Sequence, residues 1–113
     1  MKLLWEPSAD FQRQTNMTAY MNWLADTRGL KFADYAALQR WSVAHLEVFW
    51  QSVWDYYRLQ STTPVARVLS SHAMPGAQWF AGASLNFAEH IFRGRGDDRP
   101  ALLAADERHD LRE

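Results

Sequence analysis

One apolar stripe constrains the fold of this chain more than any other feature. Its six members are spaced i, i+3, i+4, i+7, i+8 and i+11, and they are Leu46, Phe49, Trp50, Val53, Trp54 and Tyr57. This spacing places all of them on one side of an α-helix. The stripe therefore predicts an amphipathic helix over residues 46–59, whose aromatic side must be covered by other parts of a protein.

The sequence before the stripe predicts three more helices. Ser8 is a typical N-cap for a short first helix, and a second helix is expected to begin near Asn16. Gly29 stands where a left-handed residue would end that second helix. Asp34 is a typical N-cap for a third helix. The inner face of that third helix is expected to carry Tyr35, Leu38 and Trp41.

The sequence after Pro64 predicts a change of structure. The apolar run 65–69 is typical of a short strand, and residues 74–82 read as a loop because Pro and Gly interrupt them. Asn86 followed by Glu89 indicates a capped helix that reaches Phe92 or Arg93. We expect Gly94 and Gly96 to end it. The whole pattern predicts a mostly α protein with a small β portion, that is, an α+β fold.

The last residues read as one and a half strands. We expect a buried strand over 101–105, a polar turn over 106–110 and the start of a returning strand over 111–113. Because a half-hairpin leaves a strand edge unpaired, we expect Glu113 to be a cut end rather than a natural one. The same open edge favours either fraying or self-association of two copies through residues 101–113.

Composition excludes several classes of partner and site. The formal net charge is −1, so no basic excess is present to bind nucleic acid or an anionic membrane. No apolar run approaches the roughly 20 residues that span a bilayer. The chain has no cysteine, which excludes disulfides and thiolate metal sites and fits a cytoplasmic protein.

No set of residues in the sequence has the spacing of a catalytic or metal site. The four histidines, at positions 45, 72, 90 and 109, lie too far apart for paired helical zinc ligands. The adjacent carboxylates at 97–98 and 106–107 fall in predicted turns, where they are typical of a solvated surface. No glycine-rich loop ends in Lys-Ser or Lys-Thr, so no phosphate loop of that type is present. We therefore predict no catalytic, cofactor-binding or metal-binding residue in this chain.

Two blocks of motifs resemble a known enzyme family. The first block reads D-Y-x-x-L from Asp34, W-S-V from Trp41 and F-W-x-x-V-W-D from Phe49. It resembles the amino-terminal segment of acetyl-CoA synthetase-like acyl-CoA ligases. The second block contains Met-Pro-Gly-Ala at 74–77, then Trp79-Phe80, Gly82, Leu85-Asn86 and Ala88-Glu89. It is similar to the acetoacetyl-CoA synthetase branch of that family.

Smaller matches extend the resemblance over nearly the whole chain, and two positions depart from it. Trp5, Pro7, Ser8, Asn16 and Trp23 also match the branch. The family often has Pro where Leu46 stands and Asn where His90 stands. Leu is tolerated at the first turn of a helix, where Pro is favoured but not required.

The resemblance implies a role as part of a larger enzyme. It implies a helical amino-terminal layer over residues 1–93, then a linker and the first strands of an adenylating domain over 94–113. That domain is the expected partner. The full-length parent would activate acetoacetate with ATP and Mg²⁺ and transfer the acyl group to CoA. A structural role is expected for Tyr35, Leu38, Trp41, Phe49, Trp50, Val53, Trp54, Trp79, Phe80, Asn86 and Glu89.

An alternative interpretation uses the same stripe differently. A free-standing helical interaction module would use the aromatic side of helix 46–59 as a docking face for another protein. The reading frame beyond Glu113 separates the two interpretations. A frame that continues into a phosphate loop favours the ligase, and a natural stop after Glu113 favours the module.

Overall fold

The computed structural model describes residues 5–94, 100 and 102–112. It is a mostly helical α+β structure, which confirms the predicted fold class. The described elements, in chain order, are α1 (Ala9–Arg13), α2 (Asn16–Arg28), α3 (Tyr35–Ala44), α4 (Leu46–Tyr56), β1 (Arg67–Leu69), β2 (Trp79–Ala81), α5 (Phe87–Phe92), β3 (Ala104–Asp106) and β4 (His109–Arg112).

Side-chain caps begin the helices where the sequence predicts them. Ser8 Oγ accepts a hydrogen bond from the Phe11 amide at 3.2 Å, and Asp34 Oδ1 accepts from the Ala37 amide at 2.7 Å. Asn86 Oδ1 accepts from the Glu89 amide at 3.1 Å. Each bond satisfies an amide that has no partner within its own helix. Gly29 ends α2 with a φ of 68°, as its position predicts.

Helix α4 is shorter than predicted. It ends at Tyr56 rather than at residue 59, because Arg58 takes a left-handed conformation with a φ of 51°. The Leu59 amide then donates to the Trp54 carbonyl and the Arg58 amide to the Asp55 carbonyl. This pair of bonds is a Schellman cap, which satisfies carbonyls at the end of a helix. Arg is unusual at the left-handed position, so no Gly marks this end in the sequence.

The core lies among α2, α3 and α4. Tyr20 and Leu24 of α2 and Leu38 of α3 are its buried apolar residues, and Ser52 of α4 is buried beside them. Partly buried apolar side chains pack around this centre, among them Met21, Trp23, Leu30, Phe32, Trp41, Phe49, Val53 and Tyr56. Leu30, which follows the Gly29 cap, thus folds back onto the helices.

Strands β1 and β2 form an antiparallel hairpin. Arg67 lies opposite Ala81 and Leu69 lies opposite Trp79. The predicted strand 65–69 is therefore present but begins at Arg67. The prediction that residues 74–82 form a loop is wrong in part, because strand β2 lies within this range. A strand of three residues between a Pro-Gly turn and another glycine is too short for its alternation to stand out in the sequence.

The tail forms a hairpin of its own. Strand β3 pairs antiparallel with β4 across a turn at Glu107–Arg108. The prediction of a half-hairpin is therefore wrong, and so is that of a buried strand, since Leu102 and Leu103 are 71% and 56% exposed. The predicted polar turn over 106–110 shortens to the two residues 107–108. Residues 101 and 113, which belong to the predicted strands, lie outside the described part of the chain.

The molecule is far more open than a compact domain of its length. Its Cα radius of gyration is 19.2 Å, whereas a compact chain of 113 residues has about 13 Å. In the described ranges, no helix combines the length and the apolar character needed to cross a membrane. The predicted boundary at residues 93 and 94 stays a prediction. Gly94 has a φ of 73°, and Gly96 lies outside the described residues.

Candidate functional site

The aromatic stripe of α4 is covered along its two edges and open between them. On one edge, the Phe49 ring packs against Tyr20 at 6.5 Å and Trp41 at 6.0 Å between centroids. On the other edge, Trp50 and Trp54 pack against the β1–β2 hairpin. Between these edges, Val53 and Tyr57 line a groove.

This groove, of about 310 Å³, lies between α2, α3 and the end of α4. Its lining contains no charged side chain. The lining residues are Asn16, Met17, Tyr20, Tyr35, Leu38, Gln39, Ser42, Phe49, Val53 and Tyr57. Tyr35 and Tyr57 stand at its rim, 62% and 58% exposed. An uncharged groove with aromatic rims is suited to apolar side chains, because a charged ligand would lose its water without gaining a counter-charge.

A buried hydrogen bond fixes the floor of the groove. The Tyr20 hydroxyl lies 2.5 Å from Ser52 Oγ, and the Ser52 hydroxyl donates to the Phe49 carbonyl at 2.6 Å. A serine hydroxyl has one proton, so Ser52 accepts from Tyr20 while it donates to Phe49. Burial raises the pKa of Tyr20 above its ordinary value, although the hydrogen bond with Ser52 and the charge of Arg28 oppose this rise.

A polar clamp on the outside of the core holds α2 against α4. The Arg28 guanidinium donates to Asp55 Oδ2 and forms an ion pair with it. Gln51 Nε2 donates to the other carboxylate oxygen of Asp55 at 2.9 Å. Arg28 also lies 5.6 Å above the Trp23 ring. The clamp and the Tyr20 bond together tie α2 to α4, which form two of the three walls of the groove.

The β1–β2 hairpin closes the outer edge of the stripe with two successive aromatic residues. The Trp79 ring lies 5.6 Å from Trp50, and the Phe80 ring stacks on Trp54 at 4.6 Å. Successive residues of a regular strand point to opposite faces. Phe80 departs from that geometry with a φ of 48°, which is consistent with both rings reaching the same helix.

Hydrogen bonds beyond the hairpin hold its far end. Ser61 Oγ accepts from the Ser84 amide at 2.9 Å, and the Thr62 amide donates to the Ser84 carbonyl at 2.9 Å. A Cβ added at Gly82 would lie 2.9 Å from the Pro64 carbonyl oxygen. Gly82 also has a φ of 89°. This crossing therefore requires glycine, both for the conformation and for the close approach.

Two other concave regions are lined in part by charged side chains. One, of about 360 Å³, lies between residues 60–62 and α5. There His90 Nδ1 lies 3.0 Å from the Arg93 guanidinium, which also donates to the Arg58 carbonyl. These groups satisfy one another and join α5 to the end of α4. The other is a cleft of about 770 Å³ along α1, α2 and residues 31–35, with Arg13, Lys31 and Asp34 among its lining residues.

The structure places the predicted structural residues in different environments. Leu38 is buried, while Trp41, Phe49, Val53, Trp54 and Phe80 are half-buried. Trp50 and Trp79 are 40% and 42% exposed, but they contact each other. Asn86 and Glu89 are exposed at the start of α5. The inner-face prediction is wrong for Tyr35, which is turned outward to the groove rim. The structural role of the whole set stays a prediction.

Sequence reasoning missed the polar contacts that organise the groove. Tyr20 lies at helical spacing from Met17 and Leu24, so its burial could have been found, but its partner could not. Ser52 stands between Gln51 and Val53 and belongs to no apolar pattern. The Arg28–Asp55 ion pair joins residues 27 positions apart, and no local spacing rule connects them.

No metal-binding arrangement is evident in the described ranges. Across residues 5–94 and the described tail, no group of three or more His, Asp or Glu side chains could hold a metal ion. In the smaller of the two charged pockets, the Arg93 guanidinium already contacts His90 and the Arg58 carbonyl. The uncharged groove is therefore suited to contact with apolar side chains.

Comparisons with known proteins give the context of this groove. A family model described as the acetyl-coenzyme A synthetase N-terminus matches residues 35–91, just over half of the chain. Acetoacetyl-coenzyme A synthetase of Rhizobium meliloti (strain 1021) is 32% identical over 83% of the chain. Acetoacetyl-CoA synthetase of Gallus gallus is 32% identical over 94%. A malonamoyl-CoA synthetase of Penicillium aethiopicum is 30% identical, also over 94% of the chain.

The same fold occurs in a solved acetoacetyl-CoA synthetase. The structure of that protein from Streptomyces lividans matches 99% of this chain with a TM-score of 0.85 and 44% identity. The chain corresponds to 18% of that protein and to 15% or 16% of the three relatives above. It thus spans about one sixth of their length. These matches confirm the resemblance predicted from the two motif blocks.

Proposed function

The chain belongs to the acetyl-coenzyme A synthetase N-terminus family, and from that membership we propose that it is the amino-terminal structural segment of an acid–CoA ligase. One observation carries the proposal. Almost the whole chain, at 99%, matches an amino-terminal fold within a much longer acetoacetyl-CoA synthetase at 44% identity. The open shape of the chain agrees with a segment that packs on a larger body.

The two kinds of relative narrow the class of acid. Acetoacetic and malonamic acids both carry a carbonyl group on the third carbon, followed by a methyl group in one and an amino group of similar size in the other. The acetoacetyl-CoA and malonamoyl-CoA synthetases match this chain at 32% and 30% identity. We propose a short acid of this 3-carbonyl class, with acetoacetate as the first candidate. The similar identities suggest that residues outside this segment choose between them.

The proposed reaction takes place elsewhere in the ligase. The acid would react with ATP to give an acyl-adenylate and pyrophosphate, and the acyl group would then pass to the thiol of CoA with release of AMP. The described residues offer no cluster that fits Mg²⁺, and the groove lining offers no charge to bind phosphate. The proposal therefore assigns ATP, Mg²⁺ and CoA to the rest of the ligase. The segment supplies a packed surface.

A hybrid enzyme tests the proposal. The matching segment of the Streptomyces lividans enzyme is replaced by residues 1–113, and pyrophosphate release is measured with acetoacetate, ATP and CoA. We expect the hybrid to retain acetoacetate-dependent activity, because the two segments share one fold at 44% identity. The parent with its segment deleted and residues 1–113 alone serve as controls and should both be inactive. A folded hybrid without activity would contradict the proposal.

A further inference from the structure

We infer that the groove between α2, α3 and α4 seats an apolar segment from the larger part of the same ligase polypeptide. The inference rests on the proposed function and names the surface through which it acts. The β1–β2 hairpin covers only the outer edge of the stripe, through Trp50 and Trp54. Val53 and Tyr57, which lie between the two covered edges, line the open groove.

The chemistry of the groove selects apolar side chains as its occupant. Its walls are apolar, and its polar groups are hydroxyls and amides without charge. Nucleotides and CoA carry several negative charges, and the lining offers none of the cations that would pair with them. A helical peptide with two or three large apolar side chains satisfies this lining, because its backbone amides and carbonyls bond to each other within the helix.

Two contacts fix the relative position of the α2 and α4 walls of the groove. The Tyr20–Ser52 bond fixes α2 against α4 from below, and the Arg28–Asp55 pair fixes the same two helices from outside. A surface whose walls are already positioned loses little freedom when it binds. Tyr35, Tyr57 and Met17 nevertheless remain 62%, 58% and 42% exposed at the groove. Such a cluster of exposed apolar residues is typical of an interface.

The length of the relatives favours the same polypeptide over a second copy. The matched fold makes up only 18% of the Streptomyces lividans chain, so a large body is covalently attached to it. A tethered partner acts at an effective concentration in the millimolar range, far above that of a separate copy in solution. The groove would therefore be filled within one chain before two chains could pair through it.

Single cysteines test this inference, since the chain has no cysteine of its own. Gln39→Cys places a thiol in the groove lining. Ala44→Cys is the matched control, an exposed position on the same helix α3 outside the lining. Each variant is prepared as residues 1–113 and as the hybrid enzyme. The rate of maleimide labelling at each thiol is measured by peptide mass spectrometry.

In the hybrid enzyme we expect labelling at Gln39→Cys to slow at least about tenfold relative to residues 1–113, as for a site that opens only transiently. Labelling at Ala44→Cys should change less than about twofold by the same reasoning. Ser42→Cys, also in the lining, repeats the test if Gln39→Cys does not fold. Equal rates at Gln39→Cys in both proteins, or equal protection at both positions, would overturn the inference.

Two further outcomes separate the inference from the proposed function. An active hybrid whose groove thiol stays unprotected would overturn the docking site and leave the ligase assignment intact. A hybrid that neither folds nor reacts would count against the ligase assignment, and the inference would fall with it.

Labelling of Gln39→Cys in residues 1–113 that slows as protein concentration rises would identify a second copy as the occupant, and would also overturn the inference.

Discussion

The hydrogen bond between Tyr20 and Ser52 contributes to the free energy of unfolding. Substitutions at the two positions can test both the size and the sign of this contribution. Tyr20 donates to Ser52, and Ser52 keeps its own bond to the Phe49 carbonyl. Tyr20→Phe removes the donor and leaves no buried proton without a partner. We expect it to lower the free energy of unfolding by about 0.5–1.5 kcal/mol, the net value of one hydrogen bond.

Removing the acceptor instead of the donor should lower the free energy of unfolding by more. Ser52→Ala leaves the Tyr20 hydroxyl buried with no acceptor, which costs about 1–3 kcal/mol. Alanine returns up to about 0.5 kcal/mol of that through its better helix propensity. In the Ser52→Ala background, a further Tyr20→Phe change removes the unpaired hydroxyl. It should therefore cost nothing or restore stability, so that the two changes couple by about 1 kcal/mol.

The measurement is urea unfolding of the four proteins followed by circular dichroism. Tyr57→Phe is the control, because its ring is 58% exposed and its hydroxyl change should be nearly neutral. Simple additivity of Tyr20→Phe and Ser52→Ala would refute the reasoning, because it would mean that the hydroxyls do not share a buried bond.

The raised pKa of Tyr20 adds a pH dependence to the same experiment. Because the folded state favours the neutral phenol, its contribution is complete below the unfolded pKa of about 10. The contribution is lost as pH rises from there through the higher folded value. The wild-type chain should thus lose more stability between about pH 9 and pH 11 than Tyr20→Phe does. Equal losses in the two proteins would contradict this.

The remaining predictions concern the hairpins and the ligands. Trp54→Ala should destabilise by about 3–5 kcal/mol, and Trp50→Ala by less, because 40% of Trp50 is exposed; equal melting temperatures for the two variants would contradict this. Gly82→Ala should lower the melting temperature more than Gly76→Ala, since both have positive φ but only Gly82 has a backbone oxygen within 3 Å of the added Cβ; equal shifts would contradict the clash. Amide exchange in residues 102–112 should be far faster than in α4, and a protected tail in the monomer would refute this. Calorimetry should detect no ATP or CoA binding to residues 1–113, whereas affinity tighter than about 1 mM would contradict the missing phosphate loop.

Much of the helical part could be predicted because its signals are local. Caps at Ser8, Asp34 and Asn86 require a partner only three residues away, and Gly29 requires only its own backbone. The end of α4 could not be predicted in this way. Arg58 adopts the left-handed conformation that normally marks glycine, and its carbonyl is held by Arg93, which lies 35 residues later.

The groove could not be predicted from the sequence. It depends on how α2, α3 and the β1–β2 hairpin pack around α4, and no local pattern records that packing. Periodicity indicates that Phe49, Val53 and Tyr57 share a side of a helix. It does not indicate that α2 and α3 cover one edge while the hairpin covers the other. The position of Tyr35 on α3 fits the apolar period and predicts an inner side chain, yet the residue stands at the rim. Periodicity alone therefore does not separate the covered edges of the stripe from the part that lines the groove.

Acid-dependent exchange of pyrophosphate into ATP tests the ligase assignment most directly. It would be measured on the protein translated from the complete reading frame that encodes these residues, and on residues 1–113 alone. We predict exchange that depends on acetoacetate, or on another short 3-carbonyl acid, in the complete protein and none in residues 1–113. Exchange catalysed by residues 1–113 alone, or a folded complete protein that shows no exchange with acetoacetate or malonamate, would contradict the assignment.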